Sequence, residues 1–144
     1  MAPLICYDAA FTAQAAEVAR RGAQLLVTLS NDSWFADTPA PELHLIVSAF
    51  RSVETRLPQI RAANSGVSAV IDATGEIRAR TDFGTRAVLS SKVSPSTPPT
   101  TLVARWGDWL GPVALAGAIA LIAAARARFR RGFNLKLKSD RLMG

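Results

Sequence analysis

One thiol and a few polar side chains are the places where this chain could do chemistry. Cys6 is the only cysteine. It ends the apolar run Pro3-Leu4-Ile5 and is followed by Tyr7 and Asp8. A strand that ends on a nucleophile and turns at once into a helix lifts the reactive atom out of the sheet. The N–H groups of the turn then face a developing oxyanion. Sulfur attacks as thiolate, which requires a base or a cation nearby. His44, the single histidine, and the carboxylates Asp8 and Glu54 are the residues on offer. The same position suits a small buried hydrophobe, so spacing alone leaves both readings open. One cysteine excludes an intrachain disulfide and a multi-cysteine zinc site. One histidine without an H-x-x-x-H spacing gives no metal site, and no cofactor is expected.

The elements that must position these residues follow from periodicity. "PLIC" reads as a short strand. Phe11 to Arg21 reads as a helix that starts after Asp8 and stops at Gly22. "AQLLVTLS" is a continuous apolar strand, and strand-helix-strand order predicts an α/β unit with parallel neighbours. The loop "NDSWFADTPAPE" follows, with Asn31, Asp32, Trp34 and Phe35 just past a strand end, where such sheets place ligand contacts. A second helix is predicted from Pro41 to Arg56, its apolar face formed by Leu43, Ile46, Phe50 and Val53. Arg51 and Glu54, three apart on that helix, are expected to pair. Arg61 and Asn64 are expected to flank a turn, as neighbours of the site or as loop-fixing hydrogen bonders. "VSAVIDATGEIRART" then predicts a hairpin with its turn at Asp72 to Gly75. "RAVLSSKV" (86–93) is a further strand candidate, and "SPSTPPTT" reads as a proline-rich linker.

The net charge of +6 does not indicate nucleic-acid binding. Residues 1–125 hold ten Lys/Arg and ten Asp/Glu, and the whole excess lies in residues 126–144. The basic segment follows an uncharged run, Trp109 to Ala125. At 1.5 Å per residue this run spans about 25 Å, and Arg126 and Arg128 can snorkel to extend it towards a hydrocarbon core of about 30 Å. A transmembrane helix is expected, with Trp106 and Trp109 at one interface and the basic end in the cytoplasm. Residues 1–108 then lie across the membrane, so a preceding segment that carries them there is expected. The expected domains are 1–93, a linker over 94–108, a membrane helix over 109–128 and a basic cytoplasmic tail over 129–144.

Several blocks in order carry a resemblance: "PLICYD", "LLVTLSNDSWF", "ELHLIVSAFRSVETRLPQIRAANSGVSAVIDATGEI" and the terminal apolar span. Over residues 2–131 the chain resembles the C-terminal part of the bacterial apolipoprotein N-acyltransferases, a family of the nitrilase (carbon–nitrogen hydrolase) superfamily. The resemblance implies the C-terminal half of an α-β-β-α sandwich and a Glu-Lys-Cys triad. It makes Cys6 the nucleophile that takes an acyl chain from a phospholipid as a thioester and passes it to the amine of a diacylglyceryl-cysteine apolipoprotein. It gives Tyr7 a backbone N–H at the oxyanion and Asp8 the place of a site-orienting carboxylate, where the acyltransferases usually have Glu. It places Asn31, Asp32, Trp34, Phe35, His44 and Asn64 around the substrates. The partners implied are phospholipid, apolipoprotein and membrane, with the catalytic part on the periplasmic face of the bacterial inner membrane.

In that family the Glu and the Lys precede the Cys. Only five residues precede Cys6, and neither type is among them. Lys92 and Glu54 lie downstream and do not fit the roles. The expectation is a piece that lacks its N-terminal half and is inactive alone. The alternatives are a fragment of a nitrilase-type amidase, which Asp8 favours, and an inactive truncated remnant.

Overall fold

The computed structural model describes the backbone of residues 1–35, 38–95, 97 and 100–142, and side chains as far as residue 128. Ala36 and Asp37 of the loop, three residues of the proline-rich segment and the side chains of the basic tail lie outside the described residues. The chain divides into two units, Met1–Gly107 and Asp108–Gly144.

The first unit is a five-stranded mixed sheet with helices on one face. Strands β1 (Ala2–Ile5), β2 (Leu26–Asn31) and β3 (Gln59–Asn64) are parallel; β4 (Ala69–Ile71) and β5 (Ile77–Arg80) continue the sheet antiparallel, in the order β1-β2-β3-β4-β5. Helix α1 (Thr12–Arg20) links β1 to β2, and α2 (Ala40–Thr55) links β2 to β3. Both crossovers put their helix over the sheet, as parallel pairing requires. Alternation decides which residues face the helices. Ala2, Leu4, Leu26, Thr28, Gln59, Arg61, Ala69 and Ile71 are buried beneath them. The opposite face carries Pro3, Ile5, Val27, Leu29, Ile60 and Ala62, with Ile5 54% and Leu29 49% exposed. Strand β1 lies at the edge of the sheet, with β2 as its one partner among the described residues.

The core falls into two apolar clusters. Ala2, Leu4, Ala23, Leu26 and Leu57 pack with Val18 and Ala19 of α1, and Leu45 and Ala49 of α2 pack with Val67, Ala69 and Ile71. Between them runs a polar seam in which Gln59 Nε2 donates to Thr28 and, at 2.7 Å, to Ser48. This seam corrects the predicted orientation of α2. Leu43, Ile46, Phe50 and Val53 are all partly exposed, while His44, Ser48, Arg51, Ser52 and Thr55 are buried. The polar stripe wins because each of its members finds a partner inside, and a buried polar group that is hydrogen-bonded carries little penalty.

Other expectations are refined. Arg61 and Asn64 lie within β3, and the bend comes one residue later, where Ser65 has φ +52°. The Asp72–Gly75 turn is present, with Gly75 at φ +87°. Residues 86–93 form no strand; none of them is buried, and Val88 is 97% exposed, so pairing would gain no core. The expected linker contains a short helix, α3 (Leu102–Trp106). Its N-cap Thr101 accepts from Ala104 N at 3.0 Å and donates to the Glu54 carbonyl at 2.6 Å, which docks the segment on α2. Arg51 pairs with Glu54 at 3.2 Å as expected and also donates to Thr12 on α1.

The second unit is one helix, α4 (Leu110–Leu142). Its stretch Leu110–Arg128 is 19 residues long, has a mean hydropathy of 1.8 and is not buried. Its length, about 28 Å at 1.5 Å per residue, is long enough to cross a bilayer.

Candidate active site

The site forms at the carboxyl ends of the three parallel strands, where open α/β sheets place their ligands. Strand β1 ends at Ile5, and the chain turns at once into a 3-10 turn, Cys6–Ala10. Cys6 stands at the corner with φ +49°. A non-glycine residue held in the left-handed region is strained and clusters at functional positions. Asp8 sustains the corner from within: its carboxylate accepts the Ile5 N–H at 2.9 Å. The thiol is partly exposed, and the Ser30 hydroxyl on neighbouring β2 lies 3.8 Å from its sulfur.

Behind the corner is a chain of buried charge. Arg61 Nη2 donates to Asp32 Oδ2 at 2.8 Å, and both side chains are fully buried. Asp32 Oδ1 accepts from Ser30 at 2.6 Å and lies 2.9 Å from His44 Nδ1. His44 Nε2 lies 3.3 Å from the carbonyl oxygen of Cys6. Arg61 Nε donates to the Val67 carbonyl at 3.3 Å, and its Nη1 is buried with no partner among the described residues. Gly66 completes the cradle, since a Cβ there would overlap the Asp32 carboxylate. Burial pushes the Asp32 carboxyl up, but the Ser30 hydroxyl, the Arg61 charge and His44 outweigh it and hold it below its ordinary value. Burial pulls the Arg61 guanidinium down, offset in part by Asp32 and by its proximity to Cys6.

The residues singled out from the sequence separate into an inner and an outer set. Asp32 and His44 are buried and bind protein groups. Asn31 and Asn64 pair at 3.0 Å across the ends of β2 and β3, on the exposed rim. Trp34 is 80% exposed. Phe35 and Tyr7 flank His44, with ring centroids at 6.5 Å and 6.4 Å, and Tyr7 also meets Phe11 edge-on at 5.6 Å. Tyr7, Phe35, Leu43, His44 and Val47 line an open cavity of about 280 Å³ beside the corner. Lys92 borders another cavity with Pro58 and Asp72, at the opposite end of the strands from Cys6. Glu54 lies ten residues beyond His44 on α2, about 15 Å along the helix, where it binds Arg51 and Thr12. Neither residue reaches the thiol.

Sequence reasoning passes over Ser30 and leaves Arg61 either a site neighbour or a loop-fixing hydrogen bonder. Ser30 stands one strand over from Cys6, and no spacing rule links them. A basic residue inside the short strand "QIRAAN" is a further signal for Arg61, since a buried charge calls for a partner.

Residues 1–98 match the family model described as carbon-nitrogen hydrolase. Over 128 residues the chain is 37% identical to an apolipoprotein N-acyltransferase of Geobacter metallireducens, covering 89% of this chain and 24% of that protein. Over 136 residues it is 39% identical to an apolipoprotein N-acyltransferase of Sinorhizobium medicae, covering 93% and 24%. The chain thus spans about a quarter of the length of these relatives. Among solved structures, the carbon-nitrogen hydrolase of Helicobacter pylori G27 superposes with a TM-score of 0.53 at 17% identity, over 58% of this chain and 36% of that one. Saccharomyces cerevisiae Nit3, a member of branch 10 of the nitrilase superfamily, gives 0.50 at 25% identity, over 58% and 34%. A nitrilase-like sheet with a cysteine at its strand-to-helix corner, matched over more than half its length by the family model, makes this chain a member of the carbon–nitrogen hydrolase family.

Proposed function

We propose that this chain is the nucleophile-bearing part of an N-acyltransferase of bacterial lipoprotein maturation. One observation carries the reading. The likeness to the hydrolase structures stops at 58% of the chain, whereas the likeness to the acyltransferases covers 89–93% and so extends into the apolar helix. The Cys6 thiolate attacks the ester carbonyl of a phospholipid; the C–O bond breaks, and the lysophospholipid oxygen takes a proton. The acyl thioester is then attacked by the α-amine of a diacylglyceryl-cysteine apolipoprotein; the C–S bond breaks, an amide forms, the amine releases a proton that balances the one taken up by the lysophospholipid oxygen, and the thiolate returns. The Tyr7 amide serves the oxyanion, and the Asn31, Trp34 and Phe35 rim faces the substrates. The helix Leu110–Arg128 keeps the site at the bilayer surface, where both substrates reside, with the catalytic unit periplasmic and the basic end cytoplasmic.

The Glu and Lys of the triad come from a preceding half in this reading. The exposed apolar sheet face and the open β1 edge support it, since a second sheet packed there completes an α-β-β-α sandwich. The test is to give the full-length protein a phospholipid labelled in its acyl chain. Label should appear on Cys6, be released by hydroxylamine and be absent from Cys6→Ala. Label of equal amount on Cys6→Ala would refute the reading. Asp8 supports a second reading, a C–N hydrolase; release of ammonia from a small amide with no lipid label would establish it instead.

A further inference from the structure

We propose that Arg61, Asp32 and His44 form a positioning relay whose last link, the His44 ring on the Cys6 carbonyl, fixes the backbone corner on which the nucleophile stands. The relay rests on Cys6 being the nucleophile in the reading above, but its own test uses no acyl transfer.

The argument starts from cost. Two fully buried ionic side chains and a nearly buried imidazole are expensive to remove from water, and apolar residues of similar size are often equally stable in such places. What the ionic chain provides is direction. Arg61 is fixed to β3 and to the Val67 carbonyl. It sets one oxygen of Asp32 and leaves the other for His44 and Ser30. Gly66 leaves room for that carboxylate alone. Asp32 then orients the ring, as carboxylates orient imidazoles elsewhere. With one ring nitrogen 2.9 Å from Asp32 Oδ1 and the other 3.3 Å from the Cys6 carbonyl oxygen, His44 ties α2 to the carbonyl of a left-handed residue. Peptide geometry couples that carbonyl to the Cys6 φ/ψ pair and so to the direction of the thiol. Asp32 and Arg61, 0% and 1% exposed, have no surface with which to bind a substrate, and His44, at the border of the cavity beside the corner, is only 8% exposed. They act through Cys6 and are positioning residues.

Cys6 is the single thiol of the chain, so its alkylation by iodoacetamide reads the corner directly. The full chain is compared as wild type, His44→Leu, His44→Gln and Arg61→Lys. Leucine fills the space without an N–H; glutamine keeps an N–H near the place of Nε2. The alkylation rate should fall about tenfold in His44→Leu, the worth of one hydrogen bond to a strained carbonyl. It should return to within about threefold of wild type in His44→Gln. Arg61→Lys, which keeps the charge but loses the fork, should fall between. Rates in 8 M urea, where no corner exists, should be the same for all four. The proposal is overturned by a wild-type rate in His44→Leu. It is equally overturned by His44→Gln being as slow as His44→Leu, which would make the ring a packing group.

Discussion

At the scale of residues, two aspartates each gather several partners. Asp32 is held by three residues, and Asp72, on the hairpin turn, by as many. Asp72 Oδ1 accepts from the Thr74 amide and hydroxyl and from the Glu76 amide, while Oδ2 accepts from Arg78 Nε and Nη2. Burial works against its ionised form, but these donors bring it from 3.8 down to about 2. Both carboxyls are depressed in the folded chain, so both contribute stability that is fully present above the unfolded carboxylate range. That stability is lost as pH falls through the folded values. The thermal midpoint of the wild type should therefore drop steeply between pH 3.8 and 2. Asp72→Asn should start lower at neutral pH and drop less across that window. Parallel curves for the two proteins would show that the turn carboxylate is not the group responsible.

At the scale of elements, α2 is the instructive case. Its apolar residues recur at helical spacing, and that pattern indicates the wrong face. Ser48 and Ser52 look like surface residues until Gln59, eleven and seven positions later, is seen to bind them. The ordering of stability effects should invert accordingly. Phe50→Ser, on the half-exposed stripe, should change unfolding free energy by no more than about 0.5 kcal/mol. Ser48→Ala, which strands a Gln59 N–H, should cost about 1–3 kcal/mol in urea titration. Elements set by neighbouring residues were legible: β1, α1 with its Gly22 stop, β2 and the Asp72–Gly75 turn all fall within a few positions of where the pattern places them. What depends on distant partners was not. Cys6 and Asp8 could be read as a corner from six residues of sequence. That Asp32 and His44 stand behind the corner, and that Arg61 anchors them, requires the register that brings β1, β2 and β3 side by side.

At the scale of the whole molecule, a one-sided sheet and an apolar helix share a chain. The helix is the part whose behaviour is simplest to foresee. Its 19 apolar-rich residues should hold the full chain in liposomes through a carbonate wash. Leu121→Arg, at the middle of the stretch, adds about 2.5–3.5 kcal/mol to the cost of insertion and should shift protein into the wash. Equal retention of both proteins would show that the helix is not the anchor.

The left-handed backbone at Cys6 has a consequence for ancestry. Glycine or asparagine fits φ +49° with less strain than cysteine does. A lineage that keeps a thiol there resists a standing drift towards greater stability, and only the use of the sulfur opposes that drift. Duplicated copies of this chain that have ceased to react should reveal themselves at this one codon first, while the sheet around it remains intact.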